Sequence, residues 1–179
     1  IQGEALLRDN ISELVMLGRT LVTDAAWGLK AAQNRDNDIR KCVSCNNCWG
    51  VINQELPLQC DNNPRVGFEE EVDWWPSAAK TKKKVAVVGG GVAGLEAAWV
   101  AAARGHDVTL YSAGSELGGK IRLNALIPTC DPLSSIYDYQ QVMATKAGVH
   151  TELGWRVSAD ELIAAKPDAV VLATGSTMS

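Results

Sequence analysis

The sequence predicts an α/β fold with a parallel sheet, preceded by a cysteine-rich loop, and three observations support this. Strand-like and helix-like segments alternate from residue 83 onward, as in KVAVVGG, VAGLEAAWVAAARG, DVTLYS and DAVVLATGS. A glycine fingerprint joins the first strand of that region to its first helix. Four of the five cysteines lie within residues 41–63. The composition therefore divides the chain into residues 1–40, 41–63, 64–82 and 83–179.

The composition is that of a globular protein and excludes two classes of partner. The chain has 179 residues, 46% of them hydrophobic and 21% charged, with a formal net charge of −4. Its Lys and Arg are scattered, so no patch for nucleic acid is expected. No apolar run reaches the roughly 18 residues of a membrane span, and the first residues do not form a signal peptide. We expect a cytoplasmic protein whose cysteines more often bind metal than form disulfides.

Residues 1–40 combine a helical piece, EALLRDN, a strand-like run, ELVMLGR, and a second helical pattern with Thr23 or Asp24 as its N-cap. Gly18 would allow close backbone approach, and Arg19 has a guanidinium group that can bind a phosphate. An arginine after a strand is more often a paired surface residue, so this role stays open at this point. One strand and two helices cannot close a core, and DAVVLATGS predicts a buried strand without its next neighbour. We therefore expect an internal part of a larger protein.

The cysteines of residues 41–63 follow the pattern C-x2-C-x2-C and then C-x11-C, without a helical or strand period. The candidate metal ligands are Cys42, Cys45, Cys48 and Cys60. Thiolates with this spacing converge when an irregular loop wraps around a cubic iron–sulfur cluster, with the fourth ligand remote in sequence. Zinc sites prefer two separated pairs, so the cluster is favoured and zinc is the alternative. Asp61 rather than proline follows the last ligand, which argues against a ferredoxin module, and Cys130 is an ordinary thiol.

Residues 64–82 contain two prolines, an acidic run and a basic run, a composition that predicts a linker. Its acidic and basic runs are expected to be solvated. Trp74 and Trp75 could be solvated as well or could pack against a neighbouring lobe.

The segment GGGVAG places Gly89, Gly91 and Gly94 in a G-x-G-x-x-G fingerprint between a strand and a helix. These glycines serve the tight turn, the approach of a pyrophosphate and the close packing of helix on strand. The pair Gly118 and Gly119 would approach the same pyrophosphate or form a simple turn.

The second strand ends at Ser112, where an Asp or Glu normally holds the ribose hydroxyls. Serine can hydrogen-bond a hydroxyl only without charge assistance, and Asp107 lies at the wrong end of the strand. A lobe that no longer binds nucleotide is therefore an alternative.

His106 and His150 are isolated and are expected to be structural. The candidate cofactor-binding residues are Gly18, Arg19, Gly89, Gly91, Ala93, Gly94, Ser112, Gly118, Gly119, Lys120 and Thr174.

Taken together, DIRKCVSCNNC, CDNNPRVG, KKVAVVGGGVAGLEAAWV, ELGGK and DAVVLATGS resemble the iron–sulfur flavoproteins related to old yellow enzyme. This family includes trimethylamine dehydrogenase and 2,4-dienoyl-CoA reductase. The cysteine pattern and the glycine fingerprint stand in the family's order and at its separation. The two-residue gap between Cys45 and Cys48 is similar to the amine dehydrogenases, whereas NNPRVG is similar to the reductases.

The resemblance implies that residues 1–40 are the end of a TIM barrel that carries FMN, with Gly18 and Arg19 at its phosphate. It implies that the four clustered cysteines hold a [4Fe–4S] cluster. Residues 83–179 would be an incomplete, glutathione reductase-like lobe that binds FAD or ADP, with NAD(P)H also open. No arrangement of residues for substrate chemistry is found in this chain, so no catalytic residue is expected.

The predicted function is the electron-transfer part of an oxidoreductase, relaying electrons between barrel FMN and a second nucleotide site or an external acceptor. The enzyme would be amine dehydrogenase-like or enoate reductase-like. The expected partners are the remainder of the barrel and nucleotide region, an electron-transfer flavoprotein or NAD(P)H, in an oligomer. The alternatives are a structural or assembly subunit with a degenerate nucleotide lobe, and a zinc-stapled dinucleotide-binding module.

Overall fold

A parallel β-sheet is the framework of the protein. The computed structural model describes residues 2–68 and 72–176. Its sheet has the strand order β3-β2-β1-β4, and every pairing is parallel. The predicted α/β class with a parallel sheet is confirmed. No helix in the described residues is long and apolar enough to cross a membrane.

Eight helices and four strands are found in the described residues. The helices are α1 (Gln2–Arg8), α2 (Arg19–Thr23), α3 (Trp27–Ala32), α4 (Asn47–Asn53), α5 (Val92–Ala103), α6 (Gly119–Asn124), α7 (Ser134–Ala147) and α8 (Ala159–Ala165). The strands are β1 (Lys84–Val88), β2 (Asp107–Ser112), β3 (His150–Leu153) and β4 (Ala169–Leu172). Short 3₁₀ turns span Asp36–Asp38 and Asp131–Leu133.

The main hydrophobic core lies between the inner strands and α5 and α7. After the exposed Lys84, β1 is a continuous apolar run, which is typical of a parallel strand that has neighbours on both sides and is covered. Val87, Leu95, Ala98 and Leu110 are fully inaccessible to solvent. This core holds α5 directly behind the end of β1, which is where the glycine fingerprint lies.

A second apolar cluster joins the predicted linker to α5. Trp99 of α5 is 1% exposed. The ring centroids of Trp74 and Trp75 lie 5.9 and 6.2 Å from that of Trp99, and Tyr139 packs edge-on from α7 at 6.4 Å. Trp74 and Trp75 could be solvated or packed, and in the structure both pack against Trp99. The acidic run 69–71 lies outside the described residues.

The strand predicted for ELVMLGR is wrong for this structure. Residues 13–18 form no strand, because no described strand lies beside them to accept their hydrogen bonds. Leu14 and Met16 are 86% and 96% exposed. An apolar run of this kind is stable as a strand only when a neighbouring strand pairs with it.

The predicted N-cap of the second helix is also wrong. α3 begins after Ala26, which caps it without a side-chain hydrogen bond, and Thr23 belongs to α2. The Asp24 carboxylate instead accepts hydrogen bonds from the backbone N–H of Ala26 and Arg40 and from the Lys30 ammonium. The Asp24 carboxylate therefore belongs to a buried ion pair with Lys30 and does not cap a helix.

Two further expectations are corrected. The cysteine segment is not wholly irregular, because α4 begins one residue before Cys48. β4 is not buried: Val170 is 43% and Leu172 is 74% exposed, because β4 is the edge strand of the described sheet, where β1 is its one neighbour.

Candidate functional site

The glycine fingerprint forms a tight turn between β1 and α5. Gly89 has a φ of +120°, which a side chain would strain. A Cβ atom on Gly94 would lie 1.8 Å from the carbonyl oxygen of Gly89, and one on Gly89 would lie 2.1 Å from that of Ala173. Both positions require glycine because backbone packs on backbone at this corner.

Gly91 differs from its two partners in the fingerprint. A Cβ atom here would meet nothing within 4 Å, and its φ of −81° suits any residue. The space in front of Gly91 is therefore open to a ligand. Ala93 is exposed in the first turn of α5. An open glycine at the N-terminus of a twelve-residue helix is the position at which such folds take a pyrophosphate.

The second glycine pair lies directly against the first. Gly118 has a φ of +109°, and its N–H donates to the Gly90 carbonyl at 2.8 Å. A Cβ atom on Gly119 would lie 2.9 Å from the Cα of Gly91. The structure thus brings Gly118 and Gly119 against the glycine fingerprint.

The rim of this corner contains Lys120 and the residues after β4. The Lys120 ammonium donates to the Ser176 hydroxyl at 2.9 Å, so its side chain reaches from α6 to the segment that follows β4. Thr174 is exposed next to that contact. These residues surround the carboxyl ends of the strands, where open α/β sheets bind ligands.

Ser112 ends β2 and packs against the glycine turn at Gly90. The residue is 5% exposed. A Cβ atom on Gly90 would lie 2.6 Å from the Ser112 hydroxyl oxygen, so the hydroxyl fills the space that the missing side chain leaves. Asp107 is the first residue of β2, at the opposite end of the strand. The end of β2 therefore has no carboxylate.

Arg19 is an exposed residue whose guanidinium donates to the Asn46 side chain within the cysteine segment. Gly18 precedes it as the N-cap of α2, and a Cβ atom on Gly18 would meet nothing within 4 Å. The structure therefore places this candidate phosphate pair beside the candidate cluster ligands.

The four candidate metal ligands are free thiols in two segments that are tied together. The Asn47 side chain donates to Asp61 at 2.7 Å, and Asn62 donates to the Lys41 carbonyl at 2.8 Å. Burial raises the pKa of the Cys45 thiol, and the nearby Asp61 carboxylate raises it further.

The thiols themselves do not meet in ligand geometry. The sulfur of Cys60 lies 3.7 Å from the Thr23 hydroxyl, and that of Cys42 accepts from the Ser44 N–H at 3.4 Å. Residues 2–68 and 72–176 contain no group of three or more His, Cys, Asp or Glu placed to hold a metal ion. The donor set and the joined segments suit a cluster, while the side-chain positions lack its ligand shell.

Sequence reasoning missed a buried polar network beside these segments. Lys30 donates to Asp24 at 2.8 Å, and Arg40 donates to Glu96 at 2.6 Å. The Arg40 guanidinium also lies over the Tyr139 ring, 4.2 Å from its centroid. No sequence signal pairs residues that are 56 positions apart. The position of Arg40, two residues before Cys42, is the one local feature that marks it as a candidate.

Comparisons with known proteins agree with this geometry. A family model described as an NAD(P)-binding Rossmann-like domain matches residues 87–153. The NADH oxidase of Thermoanaerobacter brockii is 40% identical over 179 residues, covering 97% of this chain and 27% of that protein. The multifunctional alkene reductase/demethylase OYE of Caballeronia cordobensis is 28% identical, and the match covers 94% of this chain and 24% of that protein.

Two solved structures are similar over nearly the whole chain. 2-Naphthoyl-CoA reductase superposes with a TM-score of 0.92 at 31% identity, covering 98% of this chain and 27% of that one. Histamine dehydrogenase from Rhizobium sp. 4-9 has a TM-score of 0.89 at 29% identity and covers 98% and 26%. The chain spans about a quarter of the length of the relatives it matches.

The fold and the site thus define a Rossmann-like nucleotide-binding lobe joined to a cysteine-rich segment. The proteins that match this chain are named as oxidoreductases, namely oxidases, reductases and dehydrogenases. The chain is related to the iron–sulfur flavoproteins of the old yellow enzyme-related family, and the resemblance predicted from its motifs is confirmed.

Proposed function

We propose that this chain is the electron-relay part of an iron–sulfur flavin-dependent oxidoreductase. The observation that carries the proposal is that side-chain contacts connect three candidate sites: the phosphate pair Gly18 and Arg19, the cysteine segment and the glycine fingerprint. Arg19 contacts the cysteine segment through Asn46, and Arg40 joins that segment to α5 through Glu96. A relay requires this closeness because its cofactors must lie near one another.

Four thiols supplied by a segment of loop and one short helix are the donor set of a [4Fe–4S] cluster. Cys42, Cys45 and Cys48 would supply one side, and Cys60 would supply the other. The ties from Asn47 to Asp61 and from Asn62 to Lys41 hold these two sides together at their bases. Such a cluster supplies one-electron transfer.

The nucleotide lobe would hold the adenosine diphosphate part of FAD, or ADP itself, with NAD(P)H as a further candidate. The open backbone at Gly91 would receive the pyrophosphate, and the N–H groups at the start of α5 would stabilise its charge. Lys120 lies at the rim, where its ammonium can approach the same phosphates. Ser112 leaves the ribose without a charged partner.

Gly18 and Arg19 would bind the phosphate of barrel FMN. Arg19 provides the guanidinium fork that suits a phosphate, and Asn46 orients it. The remainder of the barrel and of the nucleotide region would complete the enzyme, with an electron-transfer flavoprotein or NAD(P)H as the partner in electron exchange. The substrate would be amine-like or enone-like.

The test is anaerobic purification of the intact protein, followed by iron, sulfide and zinc analysis. We expect about four irons and about four sulfides per chain. Cys45→Ser should lower the iron content, whereas Cys130→Ser, a matched control outside the cysteine segment, should leave it unchanged. One zinc in a colourless protein would overturn the relay.

A non-catalytic structural or assembly module is the second candidate. It is favoured by Ser112, which removes the usual ribose carboxylate, and by the thiols that do not form a ligand group in the described residues. This candidate predicts no bound nucleotide and no reversible electron uptake, even where the cysteines hold a cluster that helps to hold a complex together.

A further inference from the structure

A chain of hydrogen bonds, buried at Arg40 and Gln140 and partly exposed at Glu96, runs from the cysteine segment to the glycine fingerprint. The Arg40 side chain, 9% exposed, donates from one guanidinium nitrogen to the Asn62 carbonyl at 2.7 Å and from the other to Glu96 at 2.6 Å. The Gln140 amide then donates to the second oxygen of Glu96 at 2.8 Å and to the Val92 carbonyl at 3.1 Å.

The two ends of this chain lie at the two candidate sites. Arg40 precedes Cys42 by two residues, and Asn62 follows Cys60 by two residues. At the other end, Val92 directly follows Gly91 within the fingerprint. The network therefore joins the base of the cysteine segment to the turn that would receive the pyrophosphate.

Further contacts fix the position of Arg40. Its backbone N–H donates to Asp24 at 2.9 Å, and its guanidinium lies 4.2 Å from the centre of the Tyr139 ring. The fork geometry of arginine allows it to bond Asn62 and Glu96 at once, which the single ammonium of lysine cannot reproduce.

The network does not serve stability well. Arg40 is buried and its partner Glu96 is 23% exposed. An ion pair with a buried partner often contributes no more to stability than apolar residues of similar size would. Two of its buried atoms, Asn62 Oδ1 and Gln140 Oε1, have no hydrogen-bond partner in the described part of the chain, which adds a cost. A costly polar connection between two sites points to a role in positioning.

We propose that Arg40 is a positioning residue that couples the cysteine segment to the nucleotide-binding turn. Filling the cysteine segment fixes Arg40 and Glu96, and through Gln140 it fixes the Val92 carbonyl at the turn. The inference rests on the proposed function, since both sites must bind their groups. Because such coupling is reciprocal, nucleotide binding also changes the properties of the cluster.

The experiment measures ADP binding by calorimetry, with the intact protein either loaded with iron and sulfide or stripped with a chelator. We expect stripping to weaken ADP binding of the wild type about fivefold or more. In Arg40→Lys the loaded and stripped forms should bind ADP equally within about twofold. Arg35→Lys is the matched control, because Arg35 pairs with Asp73 and should keep the dependence.

A second variant separates coupling from folding. Glu96→Gln leaves the bond from Arg40 to Asn62 in place, so iron content and the circular dichroism spectrum should stay unchanged while the dependence is lost. If either variant keeps the wild-type dependence with full iron content, or if the wild type has none, the inference is overturned and the proposed function remains. If the wild type binds no iron or no ADP, both fall.

Discussion

Alanine substitutions at Gly94 and Gly91 should have opposite effects, although both glycines belong to the same fingerprint: the first should lower stability and the second should weaken ligand binding. In Gly94→Ala the new methyl group would lie 1.8 Å from the Gly89 carbonyl oxygen, about 1.6 Å short of an ordinary contact of 3.4 Å. Backbone cannot rotate away as a side chain can, so α5 must move. In Gly91→Ala the methyl group meets nothing within 4 Å.

The energies follow from these distances. Overpacking of a core costs about 1–3 kcal/mol and sometimes more, and a clash with backbone belongs at the upper end. Alanine in a helix gains about 1 kcal/mol over glycine, so the net loss for Gly94→Ala is about 2 kcal/mol or more. For a chain of this length, that lowers the melting temperature by about 4–8 °C. Gly91→Ala should change stability by less than about 1 kcal/mol, because poorer capping and a less flexible unfolded chain offset each other.

The assays are thermal unfolding by circular dichroism and ADP binding by calorimetry. Gly91→Ala should melt like the wild type and yet bind ADP at least about tenfold more weakly, because its methyl group occupies the space of the pyrophosphate. The reasoning is refuted if Gly94→Ala melts like the wild type, or if Gly91→Ala binds ADP with unchanged affinity.

Three further predictions concern single positions. Ser112→Asp should tighten ADP binding about tenfold in calorimetry by restoring a charged partner for the ribose, and unchanged affinity would contradict this ribose position. Asp24→Asn should lower the free energy of unfolding by about 3 kcal/mol in denaturant titration, because buried Lys30 loses its counter-charge at 2.8 Å and is left with the more distant Asp73 carboxylate at 4.0 Å; a loss under about 1 kcal/mol would refute it. The hydrogen bonds from Ser158 lower the pKa of Glu161, so its cap stabilises α8 above the usual carboxyl range and weakens as pH falls through that lowered pKa. The difference in melting temperature between the wild type and Glu161→Gln should shrink on acidification, and a constant difference would argue against the cap.

The nucleotide lobe could be predicted from sequence because its signals are local. β1, the turn at Gly89 and α5 are consecutive, and each glycine has a steric reason that spacing alone expresses. The helices α6, α7 and α8 carry weaker patterns and were not predicted individually. Even the capping box of Ser158 and Glu161, a readable signal for the start of α8, was missed.

The first half of the chain was harder because its structure depends on distant contacts. Asp24 was expected to cap a helix, but it is instead held by Lys30 and by the backbone of Arg40, sixteen residues away. The run around Leu14 has strand composition, and composition cannot supply the neighbour that a strand needs. The bond from Arg40 to Glu96 crosses 56 positions, beyond the reach of any local pattern.

In the proposed relay, the cysteine segment takes up and releases electrons beside a nucleotide lobe. An anaerobic spectroelectrochemical titration of the intact protein tests it most directly, with iron and flavin measured on the same sample. We predict reversible bleaching of the visible absorption, with about one electron taken up for every four irons in addition to the electrons of any flavin. Iron-free protein that takes up no electrons in this titration would contradict the account.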